Sequence, residues 1–589
     1  MQPRASQEPT RYATNHAPPV RVIAVALLPL LALFAVACGG GSKEDAAKPD
    51  AGLEKSAGGG STANITIAPN ADPKPGGTLV YGLEAETDSM LPTQARFAVS
   101  GLMYANAVFD PVAAYDKDGE PQPYLAEKWS HSDDYRTWSI TFRSGISFHN
   151  GEKLDAEAGI MFINAIKDSS LTGPAARPIE SVVKTGELSA DVKMNVPWVS
   201  FPHLMTGQGG MLPAPAQLKA FTSTDENTRK DAARKPIGTG PFVFKEWIPD
   251  REFVAVKNKS YWRKDLKGNA LPYLDEVQFK PLTDPDSRVR SLQSGTVNMI
   301  HDSRGRTVKK LKDLAAAGEL QFVLGGGEDE ESFIMLNTQK PPLDDLRVRQ
   351  ALAYATDLAE YFAVTEEDPT LQADSPFNQD SPWYTETGYP TYDPAKAKEL
   401  VAAWQKDHPG EQLEFDLGAT VGSTDNDAII QMLKSQWDKV GITATVQQSE
   451  QVVFILGSVT GKFEASLWRQ FSAIDPDSDF HFWTGKNALS PDKDGMLRLN
   501  FANNVDPELD KALDEGRSNP DPAVRKSSYS TVGKRFAESV PYLWLQHVRW
   551  SIAADKTVRG MLNGPLPDGK ESLPVQAGVH RLTSTWLER

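Results

Sequence analysis

Hydrophobic and polar residues alternate along several short segments of the chain, which is the pattern expected of β-strands that bury one face. In residues 76–84, which open with two glycines, Leu79, Tyr81 and Leu83 alternate with smaller side chains. Turn-forming glycines before such a segment favour a strand that begins there. The same reasoning predicts strands over residues 138–142, 242–244, 253–256 and 442–446.

Two longer segments have the apolar spacing of helices instead. In residues 392–404, Asp393 is the predicted N-cap and Pro394 the first helical residue. The apolar face of this helix consists of Ala397, Leu400, Val401 and Trp404. A second helix, ended by Gly441, is predicted from the spacing of Ile429, Leu433, Trp437 and Val440. Because helices are followed by strands, the pattern predicts an α/β fold.

The N-terminal region has the layout of an export signal. Three arginines precede or open an apolar run over residues 22–36, and small Ala37 comes before Cys38, the only cysteine of 589 residues. The run is too short to span a bilayer comfortably. The position of Cys38 resembles that in a bacterial lipobox, where the thiol takes a diacylglycerol. We therefore predict a lipid anchor on Cys38 at the extracytoplasmic face of the cell membrane, with a plain secreted protein or a signal anchor as alternatives.

Composition divides the rest of the chain into a tether and a body. Residues 38–75 are rich in Gly, Ser, Ala, Lys, Asp and Pro and hold hardly any aliphatic cluster. Such a segment buries too little apolar surface to offset its ordering entropy, so we predict a flexible tether after the signal peptide, 1–37. Residues 76–589 exceed what one core supports, which predicts two or three lobes.

Charge and cysteine content exclude a nucleic-acid-binding protein and a protein stabilised by internal disulfides. The formal net charge of −16 becomes −18 once residues 1–37, with three arginines and one glutamate, are removed. A chain this acidic is not suited to bind nucleic acid. With one cysteine an internal disulfide is impossible, so stability has to come from core burial.

No sequence motif indicates catalysis or a bound cofactor. The Gly-x-Ser-x-Gly motif of serine hydrolases is absent, and Gly457–Lys462 is one residue short of a phosphate-binding loop. We therefore predict a protein that is not an enzyme and needs no cofactor.

Metal binding is not indicated by local spacing either. The segment 475–479 has the Asp-x-Asp-x-Asp opening of a calcium loop, but Phe480 and Lys486 replace the glycine and the glutamate that such a loop requires. The histidines that could still meet in space are His203, His481 and His547. No dedicated metal site is predicted.

Several blocks of the sequence together carry a resemblance to a known family. The longest and most specific is residues 124–154, which begins Tyr-Leu-Ala-Glu-Lys-Trp and ends His-Asn-Gly-Glu-Lys-Leu. Further blocks lie in matching order at residues 237–244, 258–262, 290–295, 341–352, 475–477 and 521–525. In these blocks the chain resembles family 5 extracellular solute-binding proteins, a group that includes oligopeptide-, dipeptide- and nickel-binding proteins.

This resemblance implies an α/β, two-lobed periplasmic-binding-protein-like fold with a subdomain inserted in the first lobe. The implied division is lobe I over 76–112, 228–332 and 548–589, the inserted subdomain over 113–227, and lobe II over 333–547. The strands that cross between the lobes would lie near residues 333–337 and 544–549. Hinged lobes of this kind close on a ligand in the cleft between them.

The resemblance implies ligand contacts only in part. In relatives that take peptides, an aspartate a few residues after a tryptophan pairs with the peptide ammonium, a buried charge that requires a partner. Aligned on Trp468, that place falls at Phe471 or Ser472, and neither is a carboxylate. Asp475 and Glu84 are the candidate replacements, which puts ordinary peptide specificity in question.

Cationic and aromatic residues complete the candidate site. Arg469 and Arg96 could donate paired hydrogen bonds to a carboxylate, a phosphate or sugar oxygens. Trp468, Phe471 and Phe97 are candidate aromatic walls. The full set of predicted ligand-binding residues is Glu84, Arg96, Phe97, Asn337, Trp468, Arg469, Phe471 and Asp475.

The function implied is that of a lipid-anchored solute-binding protein of an ABC importer, which captures a peptide or similar polar solute and delivers it to the permease subunits. It is expected to be monomeric at the membrane and to have no nucleic-acid partner. Alternatives are a binder of a nickel or other metal chelate or of an oligosaccharide, and a non-transporting regulatory or scaffold lipoprotein. A cleft filled by the protein's own side chains would indicate the scaffold.

Overall fold

A computed structural model describes residues 62–67, 72–326, 330–421, 423–471, 474–488 and 497–588. The strands of the described residues are β1 (Thr62–Thr66), β2 (Thr78–Leu83), β3 (Ala113–Tyr115), β4 (Pro121–Pro123), β5 (Ala126–His131), β6 (Thr137–Phe142), β7 (Ile179–Lys184), β8 (Ser189–Met194), β9 (Phe242–Ile248), β10 (Glu252–Lys257), β11 (Glu276–Pro281), β12 (Met299–Asp302), β13 (Gln321–Gly325), β14 (Glu330–Leu336), β15 (Glu414–Thr420), β16 (Thr443–Ser449), β17 (Ala465–Gln470), β18 (Tyr542–Val548), β19 (Ser551–Ala554), β20 (Val558–Arg559) and β21 (Trp586–Leu587).

Helices alternate with these strands along most of the chain. The α-helices are α1 (Val99–Val108), α2 (Ala156–Asp168), α3 (Gly173–Ala176), α4 (Phe201–Leu204), α5 (Pro215–Phe221), α6 (Glu226–Arg234), α7 (Pro285–Gln293), α8 (Gly305–Ala316), α9 (Leu346–Ala355), α10 (Leu358–Thr365), α11 (Pro394–Asp407), α12 (Thr424–Asp438), α13 (Gln451–Val459), α14 (Phe480–Trp483), α15 (Pro507–Ser518) and α16 (Pro522–Ser539).

Lobe I is built on an eight-stranded sheet with the strand order β1-β13-β19-β12-β2-β11-β10-β9. β2 runs parallel to β11 and β12, and the other neighbours are antiparallel. One apolar cluster joins Tyr81 and Phe279 of this sheet to α1, and another joins Ile300 and Phe322 to Leu311 of α8. The sheet is therefore covered by helices on both faces.

Lobe II is built on a five-stranded sheet with the order β16-β15-β17-β14-β18. Along β14, Phe333 and Met335 belong to one apolar cluster, and Ile334 and Leu336 belong to the cluster on the opposite face. A strand buried on both faces has no polar alternation, which explains the continuous apolar sequence of the C-terminal half of β14, Phe333–Leu336.

The inserted subdomain is a four-stranded antiparallel sheet with the order β5-β6-β8-β7. Helix α2 packs Phe162, Ile163 and Ile166 into the same apolar cluster as Trp138 and Phe142 of the sheet. This subdomain provides one side of a contact with lobe II that is described below.

The chain passes between the lobes twice, and the described residues at the ends of the two passages lie side by side. One follows β13 and leads into β14, and the other leads from β18 into β19. The Gly325 backbone N–H donates to the Trp550 carbonyl at 2.7 Å, and Glu330 is the register partner of Val548. The second passage lies between β18 and β19, at the C-terminal end of the predicted residues 544–549. The first lies before β14 and not near residues 333–337, so Asn337 directly follows the end of β14 that is farther from the crossing.

The local predictions from periodicity are confirmed. β2, β6, β9, β10 and β16 lie within two residues of the predicted strands, apart from a longer C-terminal end of β9 and of β16. The Asp393 carboxylate accepts from the backbone N–H groups of Ala395 and Lys396 at the start of α11. Gly441 has a φ of 90°, the left-handed conformation that ends α12.

One strand lies inside the segment predicted as a tether, 38–75. β1 pairs antiparallel with β13 at the edge of the lobe I sheet. Composition did not indicate it, because an edge strand can form through backbone hydrogen bonds to a neighbour far away in the sequence.

Membrane spans are not found in the described part of the chain, where no helix combines the length and apolar character needed to cross a bilayer. The predicted signal peptide, 1–37, and the predicted lipid attachment residue Cys38 lie outside the described residues.

Candidate functional site

A cavity of about 410 Å³ lies between the two lobes. It is located beyond the carboxyl ends of β2 and β12 of lobe I and of β15 of lobe II. Crevices at the carboxyl ends of strands are the usual ligand positions in open α/β sheets, because the loops there are free to present polar groups. Lobe I lines the cavity with residues that include Glu84, Val99, Ser303, Arg304, Gly305 and Trp550. Lobe II lines it with residues that include Glu330, Glu367, Asp425, Trp468, Arg469 and Gln546.

Arg469 is a cation of the cavity wall that already has a carboxylate partner. It extends from β17 and forms an ion pair with Glu330 of β14, with a 3.0 Å Nε–Oε2 hydrogen bond and a second one from Nη2. Its guanidinium carbon lies 5.4 Å from the ring centre of Trp550, on the crossing segment. Burial alone would lower the pKa of Arg469, but the carboxylates of Glu330, Glu84 and Glu367 raise it above its usual value. Arg469 therefore stays charged.

The lobes touch beside the cavity at the start of α8. The Gly305 backbone N–H donates to Glu367 Oε1 at 2.7 Å, although Gly305 belongs to lobe I and Glu367 to lobe II. The N-cap residue Arg304 does not cap α8 with its own side chain, and the Glu367 carboxylate from across the cleft accepts from the first turn instead. Arg306 Nε bonds Glu366 Oε1 at 3.0 Å, and Arg304 Nε lies 3.5 Å from Asp425 Oδ2. We call these contacts the α8 seam.

Burial raises the pKa of Glu367 to about 7, despite the hydrogen bonds from Gly305 and Gln546 and the nearby charge of Arg469; Asp425 raises it further. An acid with a raised folded-state pKa contributes most stability below its unfolded pKa and loses it as the pH rises through the folded value. Relative to Glu367→Gln, the wild type is therefore expected to lose stability between about pH 4.5 and pH 7. Urea unfolding of both proteins across this pH range measures the difference in their free energies of unfolding. If the wild type became more stable relative to Glu367→Gln as the pH rises, the prediction would be contradicted.

The inserted subdomain contacts lobe II through a second, buried polar cluster. Trp198 Nε1 and Ser200 Oγ both donate to Asp477 Oδ2 at 2.5 Å. Arg517 Nε donates to Asp477 Oδ1, also at 2.5 Å, and the Arg517 carbonyl accepts from the backbone N–H of Val199 at 3.1 Å. We call these residues the Asp477 latch.

Several buried polar atoms at the cavity have no hydrogen-bond partner in the described part of the chain. They are Ser303 Oγ and Arg304 Nη1 from lobe I, and Gln546 Oε1 from lobe II. An unmade hydrogen bond on a buried group is costly, about 1–3 kcal/mol, so such atoms mark where another molecule can supply the partner.

Three of the residues predicted from the sequence lie together at the cavity: Glu84, Trp468 and Arg469. Glu84 directly follows the last residue of β2, and its backbone N–H donates to His301 Nε2 at 3.1 Å. Trp468 packs against Phe454 with ring centres 5.2 Å apart, and its Nε1 donates to Gln470. The other five predicted residues do not line the cavity.

Arg96 and Phe97 point into lobe I. Arg96 pairs with Asp88, with 3.2 Å between Nε and Oδ2, and its backbone N–H bonds the same carboxylate. Phe97 is fully buried in the apolar cluster under the lobe I sheet. An aromatic residue near a strand end can belong either to the cleft or to the core, and the sequence does not separate the two.

Asn337, Phe471 and Asp475 are buried within lobe II or at its edge. Asn337 Nδ2 donates to the Phe463 carbonyl, and Phe471 stacks on Phe333 in the core. Asp475 bonds Arg525 Nη2 at 2.6 Å and lies 3.6 Å from His203 Nε2. Burial would raise the pKa of Asp475, but Arg525 and His203 hold it below its usual range. The charge of the Asp475 carboxylate is thus already balanced by partners within the protein, at a position beside the Asp477 latch.

The polar residues that sequence reasoning missed are Ser303, Glu330, Glu367, Asp425 and Gln546. Each is far in sequence from its partners, and the contact of residue 305 with residue 367 depends on how the lobes meet. One usable signal was available: Glu84, Ser303 and Thr420 all lie at or just after the carboxyl end of a strand.

Metal ligands are not grouped in the described residues, where no three His, Cys, Asp or Glu side chains are placed to hold an ion. His203 contacts Tyr115, and His547 Nδ1 lies 3.3 Å from Glu331. The three histidines left open as ligands that could meet in space, His203, His481 and His547, do not form a metal-binding group among the described residues.

A family model described as bacterial extracellular solute-binding proteins, family 5 Middle, matches residues 120–490, more than half of the chain. The chain belongs to this family. This solute-binding protein is 23% identical to the nickel-binding periplasmic protein of Escherichia coli (strain K12) over 488 residues, which cover 81% of this chain and 90% of that protein. It is 24% identical over 570 residues to the oligopeptide-binding protein AppA of Bacillus subtilis (strain 168), covering 92% and 96%.

Solved structures support the two-lobed fold of the solute-binding protein. The ABC transporter-associated periplasmic binding protein DppA from Helicobacter pylori, in complex with the peptide STSA, superposes with a TM-score of 0.74. The two chains are 20% identical, and the match covers 88% of this chain and 99% of that one. At this identity the likeness establishes the fold, which confirms the α/β two-lobed prediction.

Proposed function

We propose that this protein captures a peptide-like solute between its lobes and presents it to the permease of an ABC importer. The observation that supports this best is the interlobe cavity of about 410 Å³, with unpartnered polar atoms contributed by both lobes. The names of the relatives, which include oligopeptide- and di/tripeptide-binding proteins, agree with a solute of this class. Binding in such a cleft requires no chemical step and no cofactor.

The binding residues we propose come from both walls of the cavity. Glu84 and Ser303 act from lobe I, and Trp468, Arg469 and Gln546 act from lobe II. The predicted residues Arg96, Phe97, Asn337, Phe471 and Asp475 support the walls without touching the solute. Because the site is shared between lobes, a solute that contacts both shifts the protein towards the closed arrangement.

For location and assembly, the proposal keeps the expectation drawn from the sequence. A diacylglycerol on Cys38 would hold a monomeric protein at the extracytoplasmic face of the cell membrane, close to the permease. Two acyl chains are enough for stable anchoring.

The alternatives differ in what the cavity should contain. A scaffold lipoprotein would be expected to fill its cleft with its own side chains, and the cavity argues against it. A nickel chelate or an oligosaccharide would use the same cleft, and the experiment below separates them from a peptide.

Protein freed of solute by unfolding and refolding is expected to gain stability and to become more compact when its solute binds. A ligand at 100 times its Kd stabilises the native state by about 2.7 kcal/mol. The candidate solute is identified by mass spectrometry of native-purified protein, and peptides, oligosaccharides and nickel chelates are then compared by Tm and by radius of gyration in solution scattering. An unchanged Tm and radius across the panel, with no co-purified solute, would contradict the proposal.

A further inference from the structure

The charges that line the interlobe cavity are unequally matched, and this deepens the proposed function by indicating the class of solute. Three guanidinium groups and four carboxylates line the cavity. The guanidinium groups belong to Arg304, Arg306 and Arg469, and the carboxylates belong to Glu84, Glu330, Glu367 and Asp425. Which of them already have partners decides what charge is left for a solute.

Every guanidinium group of the cavity already faces a carboxylate of its own. Arg469 is bonded to Glu330, and Arg306 is bonded to Glu366 at 3.0 Å. Arg304 lies 3.5 Å from Asp425. Arg304 Nη1 still has room for a hydrogen-bond acceptor, but its charge is balanced, so a neutral carbonyl oxygen is sufficient there. An anionic group of a solute would have no unmatched cation to meet.

Glu84, in contrast to these arginines, is not part of an ion pair in the described part of the chain. Its half-buried carboxylate forms no hydrogen bond or ion pair with the residues that the structure describes, although it lines the cavity. Its backbone is held in place, because the Glu84 N–H donates to His301 Nε2. Burial lowers the pKa of His301 to about 3, so this ring is neutral and its Nε2 can accept. Glu84 therefore presents a fixed carboxylate that is outside the ion pairs of the described residues; Arg469 acts on it only at longer range and is itself bonded to Glu330.

Glu367 adds to the imbalance. It accepts a hydrogen bond from the Gly305 N–H, but no cationic side chain of the described residues forms an ion pair with it. Glu84 thus remains outside the ion pairs of the cavity, and Glu367, whose pKa burial raises to about 7, adds a second negative charge as it ionises near and above neutral pH. Enclosing an unmatched carboxylate between closed lobes is costly, and a cation beside it removes that cost.

Resting on the solute-binding function proposed above, we propose that the cavity selects a solute of net positive charge, which places an ammonium or guanidinium group against the Glu84 carboxylate. A peptide with a basic side chain has this chemistry. An acidic peptide lacks it, because its carboxylates would find every arginine of the cavity occupied. This also replaces the earlier expectation that Arg469 and Arg96 recognise an anionic group.

The test compares matched probes on solute-free protein. Three tripeptides, acetylated at the N-terminus and amidated at the C-terminus, that differ only in a central lysine, glutamine or glutamate are titrated by calorimetry, together with a diamine and a dicarboxylate of equal chain length. The lysine peptide is expected to bind about tenfold or more tightly than the glutamate peptide, and the diamine more tightly than the dicarboxylate. The preference should weaken as the salt concentration rises.

Glu84→Gln is expected to reduce the preference for the lysine peptide by about tenfold, since it removes the charge and keeps the shape. Glu246→Gln is the matched control, because it makes the same change on an exposed position of β9 outside the cavity. Glu84→Asp, which keeps the charge, should retain the preference, and the Tm of each solute-free variant reports whether it is folded.

The outcomes separate the two proposals. Equal binding of the three peptides, or an unchanged preference in Glu84→Gln, would overturn the selection of cations while leaving solute binding intact. If the glutamate peptide bound most tightly of the three, the selection of cations would also be overturned and solute binding would again be left intact. If no probe of either set binds, while a neutral saccharide does, both the cationic class and the peptide-like solute are wrong.

Discussion

Replacing Gly305 by alanine is expected to hold the two lobes apart and to weaken solute binding by about 5- to 150-fold. A Cβ atom on Gly305 would lie 2.6 Å from the Glu366 carbonyl oxygen and 2.7 Å from Glu367 Cδ, both on the other lobe. These distances are far below those of favourable non-bonded contact. Overpacking of this kind costs about 1–3 kcal/mol, and here the cost arises only when the lobes close.

The measurement for Gly305→Ala is the Kd of the solute together with the radius of gyration at saturation. The variant should bind weakly, remain more open than the wild type, and unfold at nearly the same urea concentration when no solute is present. Gly457→Ala is the control, because the nearest atom to its added Cβ, the Lys462 carbonyl oxygen, is 3.7 Å away. Wild-type affinity and full compaction in Gly305→Ala would show that the α8 seam does not limit closure.

Removing the carboxylate at the centre of the Asp477 latch is expected to destabilise the protein by about 3–5 kcal/mol. In Asp477→Ala, the Arg517 guanidinium keeps its charge but loses its counter-ion, and Arg517 is only 5% exposed. Trp198 Nε1 and Ser200 Oγ lose their acceptor as well. Since Trp198 and Ser200 belong to the inserted subdomain and Arg517 to lobe II, the loss also weakens the attachment of the inserted subdomain to lobe II.

Urea unfolding of Asp477→Ala at neutral pH measures this loss. Asp514→Ala serves as the matched control, because Asp514 forms a 2.6 Å ion pair with Lys486 in which both side chains are about half exposed. Exposed pairs of this kind contribute at most about 1 kcal/mol. If the two variants were equally stable, the buried cluster would have no special part in holding the subdomain.

The sequence predicts the elements well because their signals are local. The N-cap at Asp393 and the left-handed stop at Gly441 are each decided by a few neighbouring residues, and the structure has both. The resemblance of residues 124–154 and the later blocks predicts the lobes, which periodicity could not assemble.

The site is less predictable because its contacts join residues from separate lobes. Gly305 and Glu367 belong to unrelated local patterns, and their contact exists only in the assembled fold. Asp475 illustrates the opposite error: a carboxylate near Trp468 in sequence was a reasonable ligand, but Arg525 and His203 were placed beside it by distant segments. Sequence proximity to a tryptophan does not reveal which acids are already neutralised.

The position of β19 in the lobe I sheet has a consequence for how the chain assembles. This strand, Ser551–Ala554, pairs with β13 on one side and β12 on the other, so it joins β1 and β13 to the rest of the sheet. Lobe II and the inserted subdomain each come from one continuous stretch and can form their sheets as soon as that stretch is available. Lobe I cannot complete its sheet until Ser551–Ala554 is available, so the lobe that begins first along the chain is completed last.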